Sequence, residues 1–159
     1  MIEQIGVADA TTPISRIPAA ASGPGVALSA PMAIAATGAV LGAVGSFLPW
    51  AKTGFLFVHT QVDGVDTTDG VVTFFASIAV AVCALLLSTP MSRWFAVGAS
   101  VAGAAVALVA TYNIGHYYDL RASGDLAASF VQLQAGIIIT AAGGVVAVCG
   151  GLMALFARR

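Results

Sequence analysis

Three carboxylates within seven residues, Asp63, Asp66 and Asp69, form the densest cluster of chemistry-bearing side chains in the sequence. Such a group offers oxygen ligands to a calcium ion. An EF-hand, however, places its ligands at alternate positions, with a glycine at the sixth and a closing glutamate at the twelfth, and none of this is present. The alternative is structural: Asp63-Gly64 as a turn and Asp69 as the cap of a following helix, its carboxylate near the positive end of the helix dipole. The two histidines, His59 and His116, could add imidazole ligands or a pH response near neutrality. They have no HxxxH or HxxE spacing and read as solvated residues on two separate loops. Cys83 and Cys149 form no CxxC pair, so thiol-disulfide chemistry is not indicated and both read as small packing residues. No nucleophile-base pair, carboxylate pair, metal set or cofactor motif is apparent, and the expectation is a noncatalytic protein without cofactors.

The elements that carry these residues are membrane helices. Four apolar stretches, at about 30–48, 70–88, 94–112 and 135–156, hold no Asp, Glu, Lys, Arg or His. Each has about 18 to 22 residues, which at ~1.5 Å per residue crosses a hydrocarbon core of ~30 Å. Composition agrees: 59% of residues are hydrophobic, 8% are charged, and the mean hydropathy is +0.98, where a soluble domain has about a quarter of its residues charged. The expected fold is all-α, an integral membrane four-helix bundle over 30–159. Residues 1–29, rich in Thr, Ser, Pro, Ala and Gly, read as a flexible tail and not as a cleavable leader. A formal net charge of -1 leaves no basic patch for nucleic acid.

Arginine placement sets the expected orientation. With the N-terminus cytoplasmic, the inside carries Arg16, Arg93, Arg158 and Arg159; the outside carries Lys52 and Arg121 among Asp63, Asp66, Asp69, Asp119 and Asp125. Both termini are then inside, in a bacterial plasma membrane. Trp50 and Trp94 fall at opposite interfaces. Loop one, 51–69, contains the run Phe55-Leu56-Phe57-Val58-His59-Thr60-Gln61-Val62 before Asp63-Gly64, which reads as a strand entering a tight turn and hence a small hairpin.

Glycine supplies the expected helix packing. Gly38-x-x-x-Gly42 followed by Gly45 in helix one, and Gly143-Gly144 with Gly150-Gly151 in helix four, let transmembrane backbones approach closely. Gly45-Ser46-Phe47-Leu48-Pro49-Trp50, then Asp63-Gly64 and Asp69-Gly70 before helix two, then the Gly-Gly-rich last helix, together resemble a group of small four-helix membrane proteins common in actinobacteria. The resemblance covers Gly45 to the C-terminus and brings no activity, substrate or catalytic residue with it. Families of similar size fail on what they require. Small multidrug transporters need a carboxylate in helix one, quinone-reducing thiol enzymes need CxxC, and four-helix haem proteins need histidines inside the helices.

Two functional expectations follow. One is an accessory subunit or envelope component that contacts the bilayer and a larger membrane complex or further copies of itself, with Trp50, Phe55, Phe57, Asp63, Asp66 and Asp69 as contact residues. The other is an oligomeric channel or carrier for neutral or apolar solutes, with Asn113, Gln132 and Gln134 as its polar lining.

Overall fold

The computed structural model describes residues 29–55, 58–124 and 131–157. They form helices α1 (Ala30–Phe47), α2 (Thr68–Leu85), α3 (Ser92–Ala122) and α4 (Ala135–Phe156), and strands β1 (Pro49–Phe55), β2 (Val58–Asp63) and β3 (Val131–Leu133). All four helices are long and apolar enough to cross a membrane. Residues 1–28 of the expected tail, 1–29, and Arg158 and Arg159 lie outside the described residues.

Each helix packs against two neighbours, α1 and α3 both lying between α2 and α4, so the bundle is a four-cornered ring with little contact across its diagonals. Neighbours run antiparallel: Ser46 on α1 meets Thr73 on α2, and Asn113 on α3 meets Asp69 on α2. Three apolar layers stack along the axis. Met32, Leu87 and Ala96 occupy the end where α2 joins α3; Ala39, Val80 and Ala147 fill the middle; Trp50, Ala110 and Ile137 lie under the sheet. Bulk is distributed inside out. The buried positions are largely Ala, Gly, Ser and Thr, whereas Phe75, Leu85, Val101 and Leu108 point outward, Leu108 with 69% of its surface exposed. A water-soluble bundle would bury those side chains; a bundle in lipid gains nothing by doing so, and close backbone contact holds it instead.

The closest contacts involve α4. On α1, Ala35, Gly38, Gly42 and Gly45 alternate spacings of three and four residues, the period of about 3.5 that keeps one seam facing a left-handed partner. The facing seam on α4 is Gly136, Thr140, Gly143, Ala147 and Gly150. A Cβ at Gly38 would fall 2.7 Å from the Ala147 Cα and from the Gly143 carbonyl oxygen; one at Gly45 would fall 2.7 Å from the Thr140 nitrogen. Gly144 and Gly151 face the other way. A Cβ at Gly144 would meet the Gly103 carbonyl oxygen on α3 at 2.8 Å, and one at Gly151 the Ala96 carbonyl oxygen at 2.9 Å. Consecutive helical residues point ~100° apart, so each Gly-Gly doublet serves two neighbours at once. Gly143 and Gly150 admit α1; Gly144 and Gly151 admit α3.

Boundaries depart from expectation at several ends: α2 gives way to a 3₁₀ turn, Leu86–Ser88, before the expected end at 88, and α3 starts at Ser92, two residues before Trp94. Helix α2 starts at Thr68, two residues early, because Thr67 caps it: the Thr67 hydroxyl accepts from the Gly70 amide at 3.0 Å and donates to the Gly64 carbonyl at 2.7 Å. Asp69, the expected cap, lies in the first turn. Helix α3 runs 31 residues to Ala122, ten beyond the expected end at Tyr112. At ~1.5 Å per residue it is about 46 Å long, well over a hydrocarbon core of ~30 Å. Nothing between Asn113 and Ala122 breaks a helix. The stop signals come later, with Arg121 in the last turn and Gly124 at φ 74° just past the Ser123 cap. His116 is therefore helical, not a loop residue.

Glycine substitutions at two sites should have opposite signs. Gly38→Ala forces α1 and α4 apart and should lower the melting temperature in detergent. Gly115, with nothing within 4 Å of a built Cβ, sits in an exposed helix, so Gly115→Ala should hold or raise stability, by up to about 1 kcal/mol. Equal melting of Gly38→Ala and the parent would remove the seam as the organising contact.

Candidate functional site

The best-defined polar assembly is the cap at the sheet end of the bundle, and its centre is the Leu48-Pro49-Trp50 turn. Proline has no N–H, so Pro49 cannot give the Gly45 carbonyl its helical i+4 bond. Two donors replace it: the Leu48 amide at 3.3 Å and the Trp50 indole Nε1 at 3.0 Å. The carbonyls of the same turn bind the two other chain segments at this end. Leu48 accepts from the Gly64 amide at 3.2 Å, just before α2, and Trp50 accepts from the Gln134 amide at 3.0 Å, just before α4.

Glycine again permits the approach. A Cβ on Gly64 would lie 2.6 Å from the Trp50 Cε2, and one on Gly70 would lie 2.8 Å from the Gly64 Cα. The separate sequence signals Leu-Pro-Trp, Asp63-Gly64 and Asp69-Gly70 thus form one stack, indole on Gly64 and Gly64 on Gly70. Trp50 is only 5% exposed, so its ring is a keystone of the cap rather than a surface for a partner.

The sheet above this stack has strand order β2-β1-β3, all antiparallel. The expected hairpin is present with a different turn. The chain reverses between Phe55 and Val58, at the hairpin tip, and Asp63-Gly64 leads instead into a single 3₁₀ turn, Gly64–Asp66. Phe57 and Leu56 lie outside the described residues, as do the side chains of Phe55 and His59. A bulge between Pro49 and Ala51 breaks the register at Trp50 and turns its ring inward. Beyond it the sheet is two-faced. Val62, Ala51 and Leu133 form a half-buried row on one face; Gln61, Lys52 and Gln132 form the next row, exposed on the other. This row of two amides around the chain's one lysine was not singled out by sequence, because β3 has only three residues and no period to read.

The aspartates are engaged one by one. The Asp63 carboxylate accepts from Gln61 Nε2 at 3.1 Å, Asp66 accepts from the Asp63 amide at 3.4 Å, and Asp69 accepts from Asn113 Nδ2 at 2.8 Å. Among the described residues no three His, Cys, Asp or Glu side chains converge as a metal site. The Asp69–Asn113 bond joins α2 to α3 at the sheet end of the bundle, and Asn113 also donates to the Val109 carbonyl at 2.9 Å. Asn113 is thereby an inter-helix tie. Gln132 belongs to the exposed sheet row, and Gln134 starts α4. His116 stacks on Tyr112 with ring centroids 6.2 Å apart, on the length of α3 that overhangs the bundle.

Hydroxyls account for the polar groups buried between the helices. Ser77 and Thr140 donate to carbonyls one turn back; the Ser46 and Thr73 hydroxyls, 3.1 Å apart across α1 and α2, share their two protons between that contact and the Gly42 and Gly70 carbonyls. Every buried side-chain nitrogen or oxygen among the described residues has a partner. Both cysteines are free. Cys83 is half-buried near Gly98, whereas Cys149 faces outward, because the small-residue seams of α4 are already filled by glycine.

Trp50→Phe keeps an aromatic ring but removes the indole donor, leaving the Gly45 carbonyl short of one bond. It should cost about 1 kcal/mol of stability. Gly64→Ala, which pushes a methyl into the indole, should cost more. Thermal melts of the two variants in detergent, read with tryptophan fluorescence for Gly64→Ala, check the order; an unshifted Trp50→Phe melt would contradict the keystone assignment. The chain matches no protein-family model, no curated protein and no solved structure.

Proposed function

We propose that the protein is a noncatalytic integral membrane protein of the bacterial plasma membrane, an accessory subunit or envelope-associated component that works through the surface of its outer cap. The observation that carries this reading is the division of polar groups. Those inside the bundle are spent on helix-to-backbone and helix-to-helix bonds, while the Gln61, Lys52 and Gln132 row is presented outward with Asp63 and Asp66 beside it. An intramembrane charge is the usual mark of a proton or ion relay, and the apolar stretches 30–48, 70–88, 94–112 and 135–156 hold none. Exposed, rigidly backed donors on a sheet suit recognition of another protein's polar surface. The small four-helix actinobacterial group that the Leu-Pro-Trp and Gly-Gly pattern resembles is where we place the chain.

Both termini are cytoplasmic in this reading, with the sheet outside. The end joining α2 to α3 carries Arg93 and no acid, and the chain continues from α4 into Arg158 and Arg159, the arrangement that the positive-inside rule favours. Cysteine at exposed Thr68 or Ser123 should react with an impermeant thiol reagent in intact cells, and cysteine at exposed Ser88 should not; the reverse pattern inverts the topology.

A photo-crosslinking residue at Gln132 should capture a protein partner in the native host, while one at lipid-facing Val101 should not, and Lys52→Glu should reduce the Gln132 adduct severalfold. Adducts only from Val101 would shift the contact from the cap to the helices. Saturable solute uptake driven by a pH gradient in liposomes holding the pure protein would replace the reading with transport.

A further inference from the structure

The end of the bundle opposite the sheet carries a different surface. Arg93, Trp94 and Val97 of α3 and Leu155 and Phe156 of α4 line an open groove of about 600 Å³. A second, more apolar hollow of about 660 Å³ adjoins it on α4, lined by Cys149, Leu152, Met153, Phe156 and Ala157. Phe156 stands between the two. Trp94 is 74% exposed, and among the described residues Arg93 has no ion pair. No acidic residue occurs anywhere between Asp69 and Asp119, or after Asp125, so no carboxylate from α2, α3 or α4 reaches this end to neutralise it.

We propose that this groove is a binding site for one anionic diacyl phospholipid. Arg93 receives the headgroup phosphate, one acyl chain descends along Val97 and Val101, and the other lies over Leu152 and Met153 on the far side of Phe156. The charge of the groove selects the occupant. A guanidinium is a fixed bidentate phosphate donor, it stands here at the mouth of an apolar furrow, and an indole beside it is the side chain that favours the level where headgroups meet hydrocarbon. Outward-facing ridges at Val97 and Val101 and at Leu152, Met153 and Phe156 continue the groove toward the mid-membrane, where a soluble anion would have no use for them. The site follows from the bundle lying in a bilayer and holds for either topology. It is also independent of the sheet surface proposed above.

The test uses full-length protein in nanodiscs of phosphatidylcholine with increasing phosphatidylglycerol, and native mass spectrometry to count the lipid retained after mild release. The parent should retain one phosphatidylglycerol per chain, saturably. Arg93→Gln, at an exposed position, should retain it about fivefold less well, the worth of one interfacial arginine at about 1 kcal/mol. Arg121→Gln, which removes a charge at the opposite end, should behave as the parent. Circular dichroism and melting of the variants establish that folding is intact. Equal retention of phosphatidylcholine, or equal retention by Arg93→Gln and the parent, would overturn the site. Displacement of the lipid by millimolar inorganic phosphate would make it a free-anion site and overturn the lipid assignment as well.

Discussion

The bundle depends on α4 touching two helices at once with almost no side chain between. In lipid, burying a leucine against another helix gains little, because the acyl chains it leaves are equally apolar. Dispersion between backbones at close range remains, and it rises steeply as the axes approach. The glycine doublets at 143–144 and 150–151 set that distance on both sides. Once α1 and α3 are pinned to α4, α2 closes the ring through hydroxyl contacts such as Ser46 to Thr73, and the bulky Val, Leu and Phe side chains are left to face outward.

The same economy of side chains governs the cap. A proline that ends α1 creates a carbonyl without its helical donor, and an indole one residue later supplies one. The turn between them then offers its own carbonyls to Gly64 and Gln134, which fixes where α2 and α4 begin. Residues that stand out in the sequence, Pro49, Trp50, Gly64 and Gly70, are therefore the mechanical junction of the fold. The groups turned outward are plainer: two glutamines and a lysine in register across three strands.

The two ends of the molecule differ in chemistry as well as shape. At the sheet end, Asp63, Asp66, Asp69 and Asp119 outnumber Lys52 and Arg121, and a rigid polar face is backed by a buried tryptophan. At the other end Arg93 and the exposed Trp94 border an apolar furrow between α3 and α4. We read the first as the surface proposed for polar recognition and the second as the one proposed to meet lipid headgroups. Between them no ionisable group other than the two thiols interrupts the helices.

Apolar length without charge gave the sequence authority over the number of helices and their approximate positions, since any backbone crossing hydrocarbon must satisfy its own hydrogen bonds and a helix does so locally. The start of α4 at Ala135, Pro31 in the first turn of α1, and the small-residue seams were legible for the same reason: each is a local rule. Which glycine faces which helix was not, because that depends on the ring order and on two partners approaching α4 from directions about 100° apart. The overhang of α3 escaped because its stop signal, Ser123-Gly124, lies beyond the point where apolar periodicity fades. The hairpin's true turn, the third strand and the inward rotation of Trp50 came only with the tertiary structure. The hairpin turn is local, with Phe55 opposite Val58, but the third strand and the setting of Trp50 go with hydrogen bonds between segments distant in sequence, Gly64 to Leu48 and Gln134 to Trp50, and no local preference encodes a bond whose other half is more than ten residues away.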